Sequence, residues 1–155
     1  MTQSTALAVH RSLVVEASAT RAFETFVTLS AWWPLESHTT GVAPARASIV
    51  EPRAGGRWYE IDATGAELEI GRVLAYEPPE RIVLAWLSNC NVDGPAPVAT
   101  EVEVRFTPES VTRTRLDLEH RGFEAYGERA SENRDRYESG GAWTFVLSRF
   151  SAYFS

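Results

Sequence analysis

His120 is the residue of this sequence that could take part in the most kinds of chemistry, as a ligand-binding group, an acid or a base. It follows Leu116 and Leu118 at two-residue spacing, in a segment where apolar and polar residues alternate. In a β-strand such residues share a face, so the imidazole is predicted to point inward with the two leucines. A partly buried imidazole could orient a polar ligand or act as an acid or base. The alternative is a core histidine whose ring is satisfied by a backbone carbonyl.

Arg72 lies on another predicted strand, and its orientation has two interpretations. In the first, it shares the concave face with apolar residues at two-residue spacing and binds a carboxylate there. Those residues are Leu68, Ile70 and Leu74. In the second, the alternate set faces inward and Arg72 is solvated. That set is Glu69, Gly71 and Val73.

Tryptophan is abundant in this chain, which has five: Trp32, Trp33, Trp58, Trp86 and Trp143. A tryptophan supplies a large flat wall and one N–H donor, so these residues could line an apolar cavity. Plain core packing is the alternative. Trp86 and Trp143 are the favoured wall residues, and Tyr59 is a candidate donor. The predicted ligand-binding residues are Trp33, Trp58, Tyr59, Arg72, Trp86, His120, Trp143 and Leu147.

No catalytic or metal-binding constellation is recognisable in the sequence. His10, His38 and His120 lie far apart and lack the spacing of metal ligands. Cys90 is the single cysteine, in a predicted loop without a neighbouring base, and we expect a free thiol there. One cysteine allows no intrachain disulfide and fits a reducing cytoplasm. We therefore predict no catalytic residue, no metal and no cofactor.

The charge balance restricts the partners. The net charge is −6, whereas nucleic-acid and anionic membrane surfaces attract basic proteins. No apolar run approaches the roughly 18 residues of a membrane span, so we predict no membrane insertion. We expect a cytoplasmic protein whose partner is a hydrophobic small molecule, and a homodimer is left open.

The C-terminal segment 137–154 is the element that must position these residues. Its large apolar side chains recur at helical spacing: Trp143, Val146, Leu147, Phe150 and Phe154. A stripe this aromatic needs a broad apolar surface, so we predict a sheet that closes around this helix. Gly140 and Gly141 lie early in it and indicate close approach of another element or a kink. Alternatively, the helix begins after them, at Ala142.

The whole chain, 1–155, is predicted to form a single domain with a disordered end at 1–8. A first strand at 9–16 precedes a short helix that Ser18 caps and that ends before Pro34. Six further strands joined by turns are predicted at 47–51, 57–62, 68–76, 81–87, 100–106 and 112–120. The charged segment 121–133 is predicted to be a linker or a mobile loop.

Seven stretches carry a resemblance to a known superfamily. They are VVEASATRAF at 14–23, WWP at 32–34, PRAGGRW at 52–58, GRVL at 71–74, EPPERIVLAW at 77–86, TRLDLEHRGF at 114–123 and GAW at 141–143. In this order they resemble the START-like (SRPBCC, Bet v 1-like) superfamily, and within it the homologues of the activator of the heat-shock-protein-90 ATPase. The resemblance implies an α+β helix-grip fold: a curved antiparallel sheet of about seven strands around a long C-terminal helix, with two short helices after the first strand.

The resemblance is weaker for function, because this superfamily places several activities on one scaffold. Our first hypothesis is binding of a hydrophobic or amphipathic small molecule between sheet and helix. The second is a cyclase or hydrolase that uses an acid or base in the cavity. The third is a stress-response co-chaperone, by family analogy alone, since the activator that names the branch carries a further N-terminal domain for which this sequence has no room.

Overall fold

The computed structural model describes residues 7–38, 45–88 and 98–154. They form an antiparallel seven-stranded sheet with the order β1-β7-β6-β5-β4-β3-β2. The strands are β1 (Val9–Val15), β2 (Ala45–Val50), β3 (Arg57–Asp62), β4 (Glu67–Glu77), β5 (Arg81–Ser88), β6 (Val98–Ser110) and β7 (Arg113–Arg121). The sheet curls around the C-terminal helices, which confirms the predicted α+β helix-grip fold.

The inner face of the sheet is apolar because residues that pair directly across strands point to the same side. One such row crosses five strands and consists of Val9, His120, Val102, Leu84 and Val73. None of these side chains is more than 3% exposed. The predicted inward orientation of His120 is therefore the one observed.

The outer face is charged, and its charges pair across strands. Glu103 on β6 contacts Arg81 at 2.7 Å and Arg105 at 2.8 Å, and also contacts Arg121. Arg121 lies 3.1 Å from Glu101, its cross-strand partner. Opposite charges therefore pair across the β6–β7 hairpin.

The first helix, α1 (Ala19–Val27), begins as predicted. The Ser18 hydroxyl accepts a hydrogen bond from the backbone N–H of Arg21 at 3.1 Å, which satisfies one free donor of the first turn. A short 3-10 turn (Leu29–Ala31) follows, and the chain then reaches Trp32 and Trp33. Both short helical segments thus end before Pro34.

Strand β4 departs from simple alternation, and this decides between the two interpretations of Arg72. Register shifts leave Ile70 without a partner on β3 and Leu74 without one on β5. Each extra residue reverses the face of the residues beyond it. Arg72 and Leu74 are therefore exposed while Val73 is buried, so the inward interpretation of Arg72 does not hold.

The long C-terminal helix is present and is bent into two parts. After a 3-10 segment (Phe123–Arg129), α2 (Ala130–Glu138) and α3 (Phe145–Tyr153) are joined by a π-turn (Gly140–Thr144). The prediction of a linker or a mobile loop at 121–133 is wrong, because Arg121 ends β7 and residues 123–133 form the 3-10 segment and the start of α2. No atom of the described residues lies within 4 Å of the position that a Cβ would take at Gly140 or Gly141. Of the two predicted reasons for these glycines, the structure therefore shows the kink and not a close approach.

Several predictions fall partly outside the described residues. Residues 1–6 of the predicted disordered end are among them, whereas Ala8 is buried and its carbonyl accepts from Arg134 Nε at 3.3 Å. Cys90 and most of its predicted loop also lie outside. No helix in the described part of the chain is long and apolar enough to cross a membrane.

Candidate functional site

Four tryptophans and one histidine meet between the sheet and the C-terminal helices; we call Trp33, Trp58, Trp86, Trp143 and His120 the tryptophan cluster. Trp58, Trp86 and His120 project from β3, β5 and β7, while Trp33 follows the 3-10 turn and Trp143 belongs to the π-turn. The sequence separates these residues widely, and the curled sheet brings them together.

The tryptophan rings of the cluster are in direct contact, mostly edge to face. The centroid of Trp86 lies 5.1 Å from that of Trp58 and 5.3 Å from that of Trp143. Trp33 lies 6.3 Å from Trp58 and 6.1 Å from Trp143. Edge-to-face pairs of this kind contribute about 0.5–1.5 kcal/mol beyond area burial. Where these rings meet, the region that the sequence analysis assigned to a ligand is thus occupied by the side chains themselves, and Trp86 is half-buried.

Hydrogen bonds fix the orientation of three of these indoles. Trp33 Nε1 donates to the carbonyl of His38 at 2.7 Å, and Trp58 Nε1 donates to Ser48 Oγ at 3.1 Å. Trp143 Nε1 donates to Nδ1 of His120 at 3.0 Å. Each N–H is therefore satisfied within the protein, as expected for buried tryptophan.

His120 is fully buried, and both of its ring nitrogens have partners. Because an indole N–H can only donate, Nδ1 must be the acceptor, and Nε2 then carries the proton. Nε2 lies 2.8 Å from Thr100 Oγ1, whose hydroxyl in turn lies 3.5 Å from the carbonyl of Trp86. Burial lowers the pKa of His120 to about 3, so the ring is neutral near pH 7. The ring is satisfied by side chains and not by a backbone carbonyl, and as it stands it has no free position for acid–base chemistry.

Glu60 is a buried carboxylate on the inner face that the sequence analysis missed. It pairs with Ser48 on β2, lies two residues after Trp58, and is only 4% exposed. The alternation of Trp58 and Glu60 along β3 was the signal that could have found it. Thr100 was missed in the same way, although it alternates with Val102 on β6.

Tyr59 and Arg72 lie outside the cluster, on the outer face. The Tyr59 ring packs under the guanidinium of Arg57 at 4.1 Å, and Arg72 Nε pairs with Glu69 at 2.9 Å. The Tyr59 side chain therefore does not point toward the cluster, as its predicted role as a hydrogen-bond donor in the cavity would require. Leu147 is buried in the core on α3. No group of residues able to hold a metal occurs in the described ranges.

The loop after Trp33 is fastened to the C-terminal helices beside the cluster. His38 Nε2 donates to the carbonyl of Gly141 in the π-turn at 2.6 Å, and its ring stacks on Phe145 at 5.0 Å. Glu36 pairs with Arg149 of α3 at 2.6 Å. The guanidinium hydrogen bond lowers the pKa of Glu36. Trp33 is thus held in two ways. Its indole donates a hydrogen bond to the His38 carbonyl, and the loop that follows it is fastened to the π-turn and to α3.

A surface groove of about 420 Å³ reaches Trp33 from the outside. It runs between this loop and α3 and is lined by Ser30, Ala31, Trp32, Trp33, Leu35, Glu36, Arg149, Ala152 and Tyr153. The groove joins the tryptophan cluster to solvent at one ring, so the cluster borders an accessible surface.

Comparison with known proteins identifies the relatives of this chain. Residues 16–155 match a family model described as activator of Hsp90 ATPase homolog 1-like protein. No curated protein sequence matches the chain. Among solved structures, the chain is similar to an anthrahydroquino-γ-pyrone synthase, Txn09, at 31% identity and a TM-score of 0.62, covering 94% of this chain and 95% of that one.

Two further structures show the same fold. The self-sacrificing resistance protein CalC from Micromonospora echinospora is 29% identical with a TM-score of 0.67, over 97% of this chain and 96% of that one. Protein MLL2253 from Mesorhizobium loti is 18% identical with a TM-score of 0.64, over 94% of each chain. The last likeness concerns the fold alone.

Proposed function

We propose a function for this chain from the premise that it belongs to the family of activator of Hsp90 ATPase homolog 1-like proteins. We infer that it binds a flat aromatic or amphipathic small molecule between its sheet and its C-terminal helices. The observation that carries the proposal is the tryptophan cluster. Four indoles from four separate elements converge on one region of the interior, next to a half-buried edge at Trp86.

The physical argument is that this cluster offers to a ligand the same contacts that it now makes with itself. Flat aromatic rings stack on, or meet edge to face with, tryptophan. Because the rings are already in contact, a ligand that enters between them must displace one ring. It then contacts the residues that this ring contacted. A flat aromatic molecule does this at the smallest cost, since it restores the edge-to-face and stacked contacts that the displaced ring gives up.

The relatives support this class of ligand. The synthase at 31% identity is named for a product with fused aromatic and pyrone rings, and the protein at 29% identity is named for resistance. Binding of a ring-containing small molecule is compatible with both names. The chain's net charge of −6 fits a small-molecule partner rather than a nucleic acid.

Titration with alizarin red S, a water-soluble hydroxylated anthraquinone, tests the proposal. We expect saturable quenching of tryptophan fluorescence, and Trp86→Phe is expected to weaken binding by roughly 2- to 12-fold, the equivalent of one aromatic pair. Trp32→Phe is the matched control, because the Trp32 ring contacts Phe26, Phe150 and Trp33 but not Trp86. Equal losses in both variants, or no saturable quenching, would contradict the proposal.

A cyclase is the second candidate function, and Glu60 favours it. A buried carboxylate on the same face as Trp58 could act as the acid or base that His120 cannot supply. Ring closure of a hydroxyanthraquinone with a 1,3-diketone side chain forms one C–O bond and releases water. We expect Glu60→Gln to abolish this turnover, followed by absorbance, while alizarin red S still binds. Unchanged turnover in this variant would remove Glu60 from the reaction.

The remaining hypotheses stay predictions. A chaperone partner rests on the family name alone, and a pull-down with Hsp90 that recovered no complex would remove it. A homodimer is tested by sedimentation of the purified chain. Cytoplasmic location and any stress-response or lipid-binding role are likewise expectations from the sequence.

A further inference from the structure

The hydrogen bond from Trp143 to His120 lies inside the tryptophan cluster. The rings of the cluster are in contact with one another, so a ligand that enters between them must displace one ring. Trp58 and Trp86 lie on β3 and β5, which are each paired on both sides within the sheet. Their backbones are held by two ladders of hydrogen bonds, so these rings are the least free to move.

Trp143 lies on the least regular backbone of the cluster. The π-turn breaks the helix, and Ala142 beside Trp143 has non-helical angles of φ −98° and ψ −113°. Open space surrounds Gly140 and Gly141. Trp33 also lies on a turn, but its backbone N–H bonds Leu29 and its indole bonds His38 within the same loop. The single bond of the Trp143 indole, by contrast, reaches across to the sheet.

Resting on the proposed function, we propose that the bound ligand takes the place of the Trp143 indole and donates an O–H or N–H hydrogen bond to Nδ1 of His120. The site then selects flat aromatic molecules that carry a hydrogen-bond donor, phenols above all. In this arrangement the Trp143 N–H acts as an internal substitute for the donor of the ligand.

The environment of His120 explains why the ligand must donate. Nε2–H is committed to Thr100, whose hydroxyl turns toward the carbonyl of Trp86, so the tautomer is fixed. Nδ1 can then only accept. A ligand without a donor would leave a buried acceptor unpaired, which corresponds to roughly 5- to 150-fold weaker binding.

Calorimetric titration with 2-naphthol and 2-methoxynaphthalene tests the selection, because the two probes share a ring system and only the first has a donor. We expect naphthol to bind at least ~5-fold more tightly, and the indole N–H signal of Trp143 to shift in ¹H–¹⁵N spectra while that of Trp58 moves less. Equal affinities would overturn this inference and leave the proposed function intact. If neither probe binds, the proposed function fails and this inference fails with it.

Two substitutions test the mechanism. In Trp143→Phe no internal donor has to be displaced, so both probes are expected to bind roughly 5-fold more tightly or better, with their ratio kept. Trp32→Phe is the matched control and is expected to leave both affinities unchanged, since the Trp32 N–H donates to the carbonyls of Thr25 and Phe26 and not to His120. In His120→Phe the preference for naphthol is expected to vanish. Unchanged affinities in Trp143→Phe would overturn the displacement, even if His120→Phe failed to fold.

Discussion

Replacing Gly71 with alanine is expected to lower the free energy of unfolding by about 3 kcal/mol, as for overpacking in a tight interior. Gly71 on β4 faces the inside of the sheet between Trp58 and Trp86, its partners on β3 and β5. A Cβ at this position would lie 2.0 Å from the carbonyl oxygen of Ala85 and 2.9 Å from Cε3 of Trp58. The backbone oxygen cannot rotate away, so the sheet or the indole must shift.

Urea unfolding of the two proteins measures this loss. Gly140→Ala is the matched control, because nothing lies within 4 Å of the new Cβ and its φ is not positive. We expect this control to change the stability by no more than about 1 kcal/mol. A Gly71→Ala protein as stable as the control would show that the close packing of Trp58 on β4 is not required.

Acidification from pH 8 to pH 5 is expected to remove about 2 kcal/mol of stability through His120 alone. The pKa of His120 is lowered from 6.5 to about 3 by burial. The unfolded chain therefore takes up a proton at this residue below pH 6.5, whereas the folded chain does not. Because the unfolded state binds more protons in this window, stability falls as the pH falls, and the loss continues down to about pH 3.

The test compares the pH dependence of urea unfolding in the wild type and in His120→Phe. The variant is expected to start from a lower stability, since Trp143 and Thr100 lose their partner, but its slope between pH 8 and pH 5 should be smaller by the amount assigned to His120. The pKa values of Glu36 and Glu103 are lowered from 4.5. Their contributions to the free energy of unfolding are therefore lost below pH 5, outside the window that is compared. An equal slope in both proteins would mean that His120 gains a proton in the folded state.

The sequence determined the elements and most of their faces. Alternation with Leu116 and Leu118 placed His120 on the inner face, and the Ser18 cap and Pro34 set the bounds of the first helical region. These signals are local, because side-chain direction follows from the period of a strand or helix and from the chemistry of its ends. The family resemblance supplied the order in which the elements assemble.

The tertiary structure alone decided how these residues meet. Arg72 points outward because a bulge at Ile70 in β4 reverses its face, and a bulge is a mismatch in the pairing with a partner strand, which the alternation along β4 does not reveal. Trp143 bonds His120, 23 positions away, because a π-turn directs its indole at the sheet. Periodicity states which side a residue faces, but not how far apart two inner faces lie. Whether the tryptophans enclose a space or fill it is set by that distance, and here their rings touch.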